Sequence, residues 1–230
     1  MPEQTTTPQV PAQAGPPLAD TSDMAQVHRV LRNAIADAPE LFGSAVARGS
    51  DRVELVATYY DNVLDFLHVH HEGEDVIVWP TLCERAPEQA AGVRRIADQH
   101  VGVTTTLHAA RARVTEFRAA GDADSAAGAA AAVAELGAAL LPHLDEEESF
   151  IVPLAAQHIL APEWGELPGH AMRSFGGDKL WLILGLIREQ FRPEQIAVMD
   201  EHMPPPVFQM WTERGQYAFA DFVAALRNGR

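Results

Sequence analysis

Two stretches of this chain carry residues suited to holding metal, and they are one pattern written twice. His70 is followed by Glu74, Asp75 and Pro80, and His143 is followed at the same spacings by Glu147, Glu148 and Pro153. Residues four apart lie about one turn apart on the same helix face, so each copy presents an imidazole and a carboxylate together. Each copy also has a histidine upstream: His28 lies 42 residues before His70, and His100 lies 43 before His143. Turned toward each other, the two faces offer His28, His70, Glu74, His100, His143 and Glu147 as candidate ligands. Imidazole nitrogen and carboxylate oxygen suit iron, and manganese and zinc accept the same atoms. Glu74 and Glu147, on opposite helices, are placed to span two ions, with two histidines completing each. Such a set falls short of octahedral coordination and leaves positions for water, hydroxide, an oxo bridge or a diatomic molecule. Structural zinc prefers a closed tetrahedral shell, so two non-haem iron ions are the better match. Two inward carboxylates without cations repel and lack partners, so metal binding and stability are expected to be coupled.

The elements that must position these residues follow from the same spacings. A helix, a turn and a returning helix fit the interval between each upstream histidine and its motif, which makes the repeated unit a helical hairpin. Two hairpins predict an all-α fold: an antiparallel up-down four-helix bundle with a C-terminal helical extension. Residues 1–20, rich in Pro, Thr, Gln and Ala, read as a disordered segment. Residues 21–158 read as the bundle, and 159–230 as the extension, packed on the bundle or on a partner chain. The first helix carries Val27, Val30, Leu31, Ala34 and Ile35, is capped from Thr21, Ser22 or Asp23, and is interrupted at Pro39. The second opens on Asp51 and Glu54 as a capping pair and turns Val56, Tyr59, Tyr60, Val63, Phe66 and Leu67 inward. The fourth opens at Asp124 or Ser125 and meets Pro142, which removes a helical hydrogen bond beside His143. Gly73, between His70 and Glu74, weakens its helix by ~1 kcal/mol relative to alanine, either to allow close packing or incidentally.

Composition narrows the partners. The net charge of −15, from 17 basic and 32 acidic residues, argues against nucleic acid. The apolar run from Leu180 to Ile187 is too short to cross a bilayer, and the N-terminus lacks a basic region followed by an apolar one. No membrane partner and a cytoplasmic location are therefore expected. Cys83 is the lone cysteine, so an intrachain disulfide and a thiolate-rich metal site are both excluded.

Other residues near the motifs have two readings each. His68 and His71 fall off the ligand face by helix phase, although His71 could substitute for a ligand or orient one. His108, His158, His170 and His202 have no matching pair. Asp75 and Glu148 lie about 100° around the helix from the spanning glutamates; they face solvent or a neighbouring helix, or orient a ligand imidazole. Tyr59 and Tyr60 read as core, or as donors to a bound oxygen species. Trp79 reads as packing at a helix end, and Cys83 as a redox thiol or, more plainly, a small buried apolar residue.

This ordered set resembles the hemerythrin-like, or HHE cation-binding, family over about residues 20–158. His28 matches that family's first-helix histidine, His70 with Glu74 its second-helix pair, His100 its third helix, and His143 with Glu147 its fourth. The continuations to Trp79-Pro80 and Pro153 are similar as well, and the tail around Pro204–Pro206 and Trp211–Gly215 is similar to an extension found in some members. The resemblance implies non-haem di-iron in a four-helix bundle. Oxygen-carrying members have a further histidine four residues beyond the equivalent of His100, where this chain has Thr104. They also place an aspartate five residues after the fourth-helix histidine, where this chain has Glu147 at four. These departures make the two metal environments more alike and point away from pure oxygen carriage.

The leading functional reading is a di-iron protein that binds or reacts with oxygen, nitric oxide or hydrogen peroxide, in sensing or redox defence. A di-iron oxidase or oxygenase acting on a small organic molecule is the second reading, and a closed apolar cavity joined to the metals would distinguish it. The third is a metal-stabilised interaction module. The chain is expected to act as a monomer or as a homodimer through its extension.

Overall fold

The computed structural model describes residues 15–228. Its long helices are α1 (Met24–Ala45), α2 (Ser50–Gly73), α4 (Ala90–Ala120) and α5 (Ala123–Glu146). The short helices α3 (Trp79–Arg85) and α6 (Val152–His158) continue α2 and α5 beyond π-helical turns at Glu74–Val78 and Glu147–Ile151. Each long helix packs on two others, α1 on α2 and α5, and α4 on α2 and α5. The result is a closed four-helix ring in up-down order.

The repeated prolines account for both π-helical turns. Proline has no amide to give the carbonyl four residues back, and its ring presses on that carbonyl. Ahead of Pro80 and Pro153 the backbone widens by one residue, so that Trp79 N–H donates to Glu74 O and Val152 N–H to Glu147 O. Each copy of the motif therefore opens its π-helical turn on its own glutamate. Single turns of this kind recur at functional sites.

Several local features differ from the sequence reading. α1 runs unbroken through Pro39, because buried Ala34, Ala38, Leu41 and Phe42 hold both of its halves against the core. Tyr60 adds to this by donating from its hydroxyl to Ala34 O at 2.9 Å. Asp23 does not cap α1; its carboxylate accepts from Trp164 Nε1 at 3.1 Å. α2 starts after Gly49, whose φ of +90° belongs to the region favouring glycine, and no side chain caps it. α5 is capped from Asp122, which accepts from Ser125 N–H at 2.8 Å in a reciprocal capping box.

Two apolar layers enclose the motif residues along the bundle. One includes Leu31, Leu67, Val103, Leu107, Leu136, Leu140 and Leu144, with Phe42 stacked on Tyr60 at 4.5 Å. The other, toward the prolines, includes Met24, Val78, Trp79, Leu82, Ile96, Ile151 and Leu154. The stretch Ala123–His158 is long and apolar enough to cross a membrane by composition. Here it lies against α1 and α4.

The extension comprises α7 (Ala161–Trp164), α8 (Glu166–Ser174), α9 (Leu180–Gln190), α10 (Pro193–His202), α11 (Pro205–Met210) and α12 (Gln216–Arg227). α8 packs on α2, α9 on α1 and α2, and α12 on α9 and α2, so the extension covers the α1–α2 side of its own bundle. Gly73 allows this approach: a Cβ there would lie 3.3 Å from Leu167 Cδ2 and 3.4 Å from His170 Cδ2. Asp65 anchors the segment after α8 by accepting from the amides of Gly176 and Gly177 at 2.8 and 2.9 Å. Where composition predicts disorder up to residue 20, Ala19 is buried and donates from its amide to Ile159 O at 2.9 Å. Residues 1–14 lie outside the described residues.

Candidate metal centre

The six residues singled out in the sequence converge between the two apolar layers, and His71 joins them. Their polar atoms form two groups, one of His28, His70, Glu74 and Glu147, the other of His71, Glu74, His100 and His143, each with its atoms within 4.8 Å of one another. Both glutamates touch both groups. Glu74 Oε1 lies 3.1 Å from His70 Nε2, and its Oε2 lies 3.6 Å from His100 Nε2. Glu147 Oε2 lies 3.4 Å from His28 Nε2 and 3.6 Å from His143 Nε2.

His71 lies off the face of His70 and Glu74 because neighbouring residues diverge by about 100° around a helix. That divergence is what brings it in. α2 stands between α1 and α4, so His70 points toward His28, with ring centroids 5.2 Å apart. His71 instead stacks on His100 at 4.0 Å with planes 7° apart. Thr104 is half-buried and belongs to neither group. The expectation of two similar environments is thereby corrected: one group holds three imidazoles and the other two. His68, His108 and His202 are exposed, and His170 faces Glu72 at 3.4 Å, away from both groups.

Hydrogen bonds behind the imidazoles fix which nitrogen faces inward. His28 Nδ1 donates to Glu148 Oε1 at 2.9 Å, and His100 Nδ1 to Asp75 Oδ1 at 2.8 Å. His143 Nδ1 donates to Gln99 Oε1 at 3.0 Å. A carboxylate only accepts, so the proton stands on Nδ1 and the Nε2 lone pair is free. Asp75 and Glu148 thus orient imidazoles of the two groups from the position directly after each glutamate, the second of the two roles open to them in the sequence. Arg32 holds Glu148 in turn at 3.1 Å, and Trp79 Nε1 donates to Asp75 at 2.9 Å.

The donor set fits cations and little else. His28 Nε2, His70 Nε2, His71 Nε2 and all four oxygens of Glu74 and Glu147 are buried without a hydrogen-bond partner. The inward lone pairs of His100 Nε2 and His143 Nε2 face each other at 3.3 Å. Buried polar groups are normally satisfied, so orphans gathered at one place require an explanation, and metal ions supply it. Burial, reinforced by the neighbouring imidazoles, holds His70 and His71 well below 6.5. Burial, then His100 and His28, brings His143 down to about 3. Neutral imidazole is the ligating form. Burial, then the charge of Glu147, pushes the Glu74 carboxyl well above 4.5. Nearby cations reverse that penalty. The two His/Glu groups are geometrically consistent with a non-haem di-iron site.

Neither Tyr59 nor Tyr60 belongs to the groups; Tyr60 is tied to Ala34, and its ring stacks on Phe42. A protein-family model, the hemerythrin HHE cation-binding domain, matches residues 19–155. No curated protein and no solved structure matches the chain. The matched region is more than half of the sequence and contains every residue of both groups, and the chain belongs to the hemerythrin HHE cation-binding family.

Proposed function

We propose that His28, His70, His71, Glu74, His100, His143 and Glu147 hold two non-haem iron ions. In this reading the pair binds or reacts with a small ligand (oxygen, nitric oxide or hydrogen peroxide) in sensing or redox defence. The observation that carries the reading is the unequal division of imidazoles between the two groups. His71, His100 and His143, with both glutamates, would offer five donors to one ion, and His28 and His70, with the same glutamates, would offer four to the other, leaving it the more open to a small ligand. Iron at that position supplies one-electron redox chemistry and an affinity for diatomic and peroxide ligands. Glu74 and Glu147 hold the charge of the pair, and Glu148 and Asp75 keep the imidazoles in the ligating tautomer.

A cavity of about 10 Å³ lies in the apolar layer among Leu31, Ala34, Tyr60, Leu67 and Leu140. Of these, Leu31, Leu67 and Leu140 are about one turn from His28, His71 and His143, and a void of this size suits a small ligand. A larger cleft, about 280 Å³, lies between α1, α2, α9 and α12. Neither is lined by a residue of the two groups. One chain supplies the whole ligand set, so the proposed active unit is the monomer. The proposed compartment is the cytoplasm, where a reducing environment keeps iron ferrous for loading.

Rapid mixing of the anaerobic ferrous protein with oxygen, nitric oxide and peroxide tests the reading. The expected result is a ligand-specific absorption change in the charge-transfer region at two irons per chain. An iron-loaded protein silent to all three ligands would overturn it.

A further inference from the structure

The two halves of the repeated motif end differently behind their ligands. In one half Glu148 accepts from His28 and is held by Arg32, and the residue five after the glutamate is Val152. In the other half Asp75 accepts from His100, and the residue five after the glutamate is Trp79. Trp79 Nε1–H and His100 Nδ1–H donate to the same oxygen, Asp75 Oδ1, at 2.9 and 2.8 Å. The indole also lies against the imidazole, with ring centroids 5.6 Å apart. Trp79 is buried in the apolar layer next to the site. The other tryptophans are engaged elsewhere: Trp164 with Asp23, Trp181 with Phe222, and Trp211 beneath Arg188. An arginine cannot be oxidised, whereas an indole can, and a carboxylate at its N–H stabilises the cation that results.

We propose that Trp79 is a one-electron donor to the metal pair, wired to it through Asp75 and His100. This rests on the di-iron reading of the same site and on hydrogen peroxide as the oxidant. Peroxide needs two electrons and two protons to become two waters. A diferrous pair supplies both electrons. A half-oxidised pair, one ferrous and one ferric, supplies one, and reduction that stops there splits peroxide into hydroxide and a hydroxyl radical. Trp79 supplies the second electron: the O–O bond breaks, solvent gives two protons, two waters form, and the pair ends diferric. Trp79 is left as a radical cation, its N–H still donating to Asp75. The burial that protects the indole from solvent also keeps its radical from diffusible reductants, so its lifetime suits freeze-quench detection. The function assigned to Trp79 is therefore to complete peroxide reduction without releasing a hydroxyl radical.

The test compares the parent protein with Trp79→Phe and Asp75→Asn, each brought to the half-oxidised state and mixed with hydrogen peroxide. Iron content and the optical oxidation of iron are read in the same samples. Freeze-quenched electron paramagnetic resonance of protein grown with ring-deuterated tryptophan reports an indole radical, and a spin trap reports free hydroxyl radical. The parent should show the deuterium-sensitive radical and little spin adduct. Trp79→Phe, which keeps an aromatic ring in the packed layer, should lose the radical and raise the adduct. Asp75→Asn, which removes the anion from the indole N–H, should shorten the radical's lifetime. Iron oxidised at the parent rate, with no indole radical and equal adduct in all three proteins, would overturn the relay alone. Iron that peroxide does not oxidise would overturn the relay, and a protein that takes up no iron would overturn the di-iron reading beneath it as well.

Discussion

Replacing Glu74 by glutamine tests the metal centre through a change of sign. Glu74 is fully buried, and neither of its oxygens has a hydrogen-bond donor. Burial and the charge of Glu147 raise its carboxyl well above 4.5, so the metal-free protein carries an electrostatic penalty there. Glutamine removes the like charge at nearly constant shape. The gain is about 1–3 kcal/mol, the size associated with an unsatisfied buried polar group. In a chain of 230 residues, each kcal/mol moves Tm by roughly 2–4 °C. The metal-free variant should therefore melt several degrees above the parent. With ferrous iron present the order should reverse. Ligand stabilisation follows RT ln(1 + [L]/Kd), so a variant binding 100-fold more weakly forfeits ~2.3 kcal/mol at a metal concentration 100 times the parent Kd. Anaerobic thermal melts followed by circular dichroism, with chelator and with ferrous iron, read both signs. A variant that melts below the parent without metal and level with it in iron would refute the reasoning, because Glu74 would then be an ordinary packing residue.

Further outcomes follow from the same geometry. His71→Leu should lower iron retention sharply in the three-imidazole group, whereas His202→Gln, on the exposed end of α10, should match the parent in metal content. Metal-free stability should rise with pH between about 5.5 and 6.5. In that window the unfolded chain protonates His70, His71 and His143, which burial keeps neutral in the folded chain, while the carboxyls of Glu74 and Asp23, raised by burial, act in the opposite sense. Each proton difference contributes ~1.4 kcal/mol per pH unit, so a melting temperature that falls across the window would contradict the burial of these imidazoles. Gly185→Ala should loosen the extension, since a Cβ there would press into the Phe219 ring where α9 crosses α12. Overpacking of this kind costs about 1–3 kcal/mol, and hydrogen exchange should rise in α9 and α12 ahead of the bundle.

The six residues first picked out were legible because one-turn spacing survives unchanged from sequence to helix. His71 was legible only as a substitute or an orienting residue, because a single inward direction for α2 leaves it off the ligand face. α2 has two neighbours, and adjacent histidines can each face one of them. A usable signal was present: two consecutive histidines at the head of the motif, together with Thr104 where the resemblance leads one to expect a ligand. The prolines at 80 and 153 were visible as a repeat, but their effect was not, since a widened turn leaves hydrophobic periodicity almost unchanged. Pro39 misled for a related reason, as the loss of one local hydrogen bond was outweighed by tertiary packing on both sides of it. The roles of Asp75, Glu148 and Gly73 depended on what stood opposite them, on α4, α1 and α8 respectively. The extension's short helices take their arrangement from the α1–α2 surface, which no pattern within residues 159–230 encodes.

Iron analysis joined to Mössbauer spectroscopy of the oxidised, fully loaded protein bears most directly on the paired centre. Two irons per chain, coupled to a diamagnetic ground state, are the predicted result, because Glu74 and Glu147 touch both ligand groups. Magnetically isolated irons, or a chain saturated by a single ion, would contradict it.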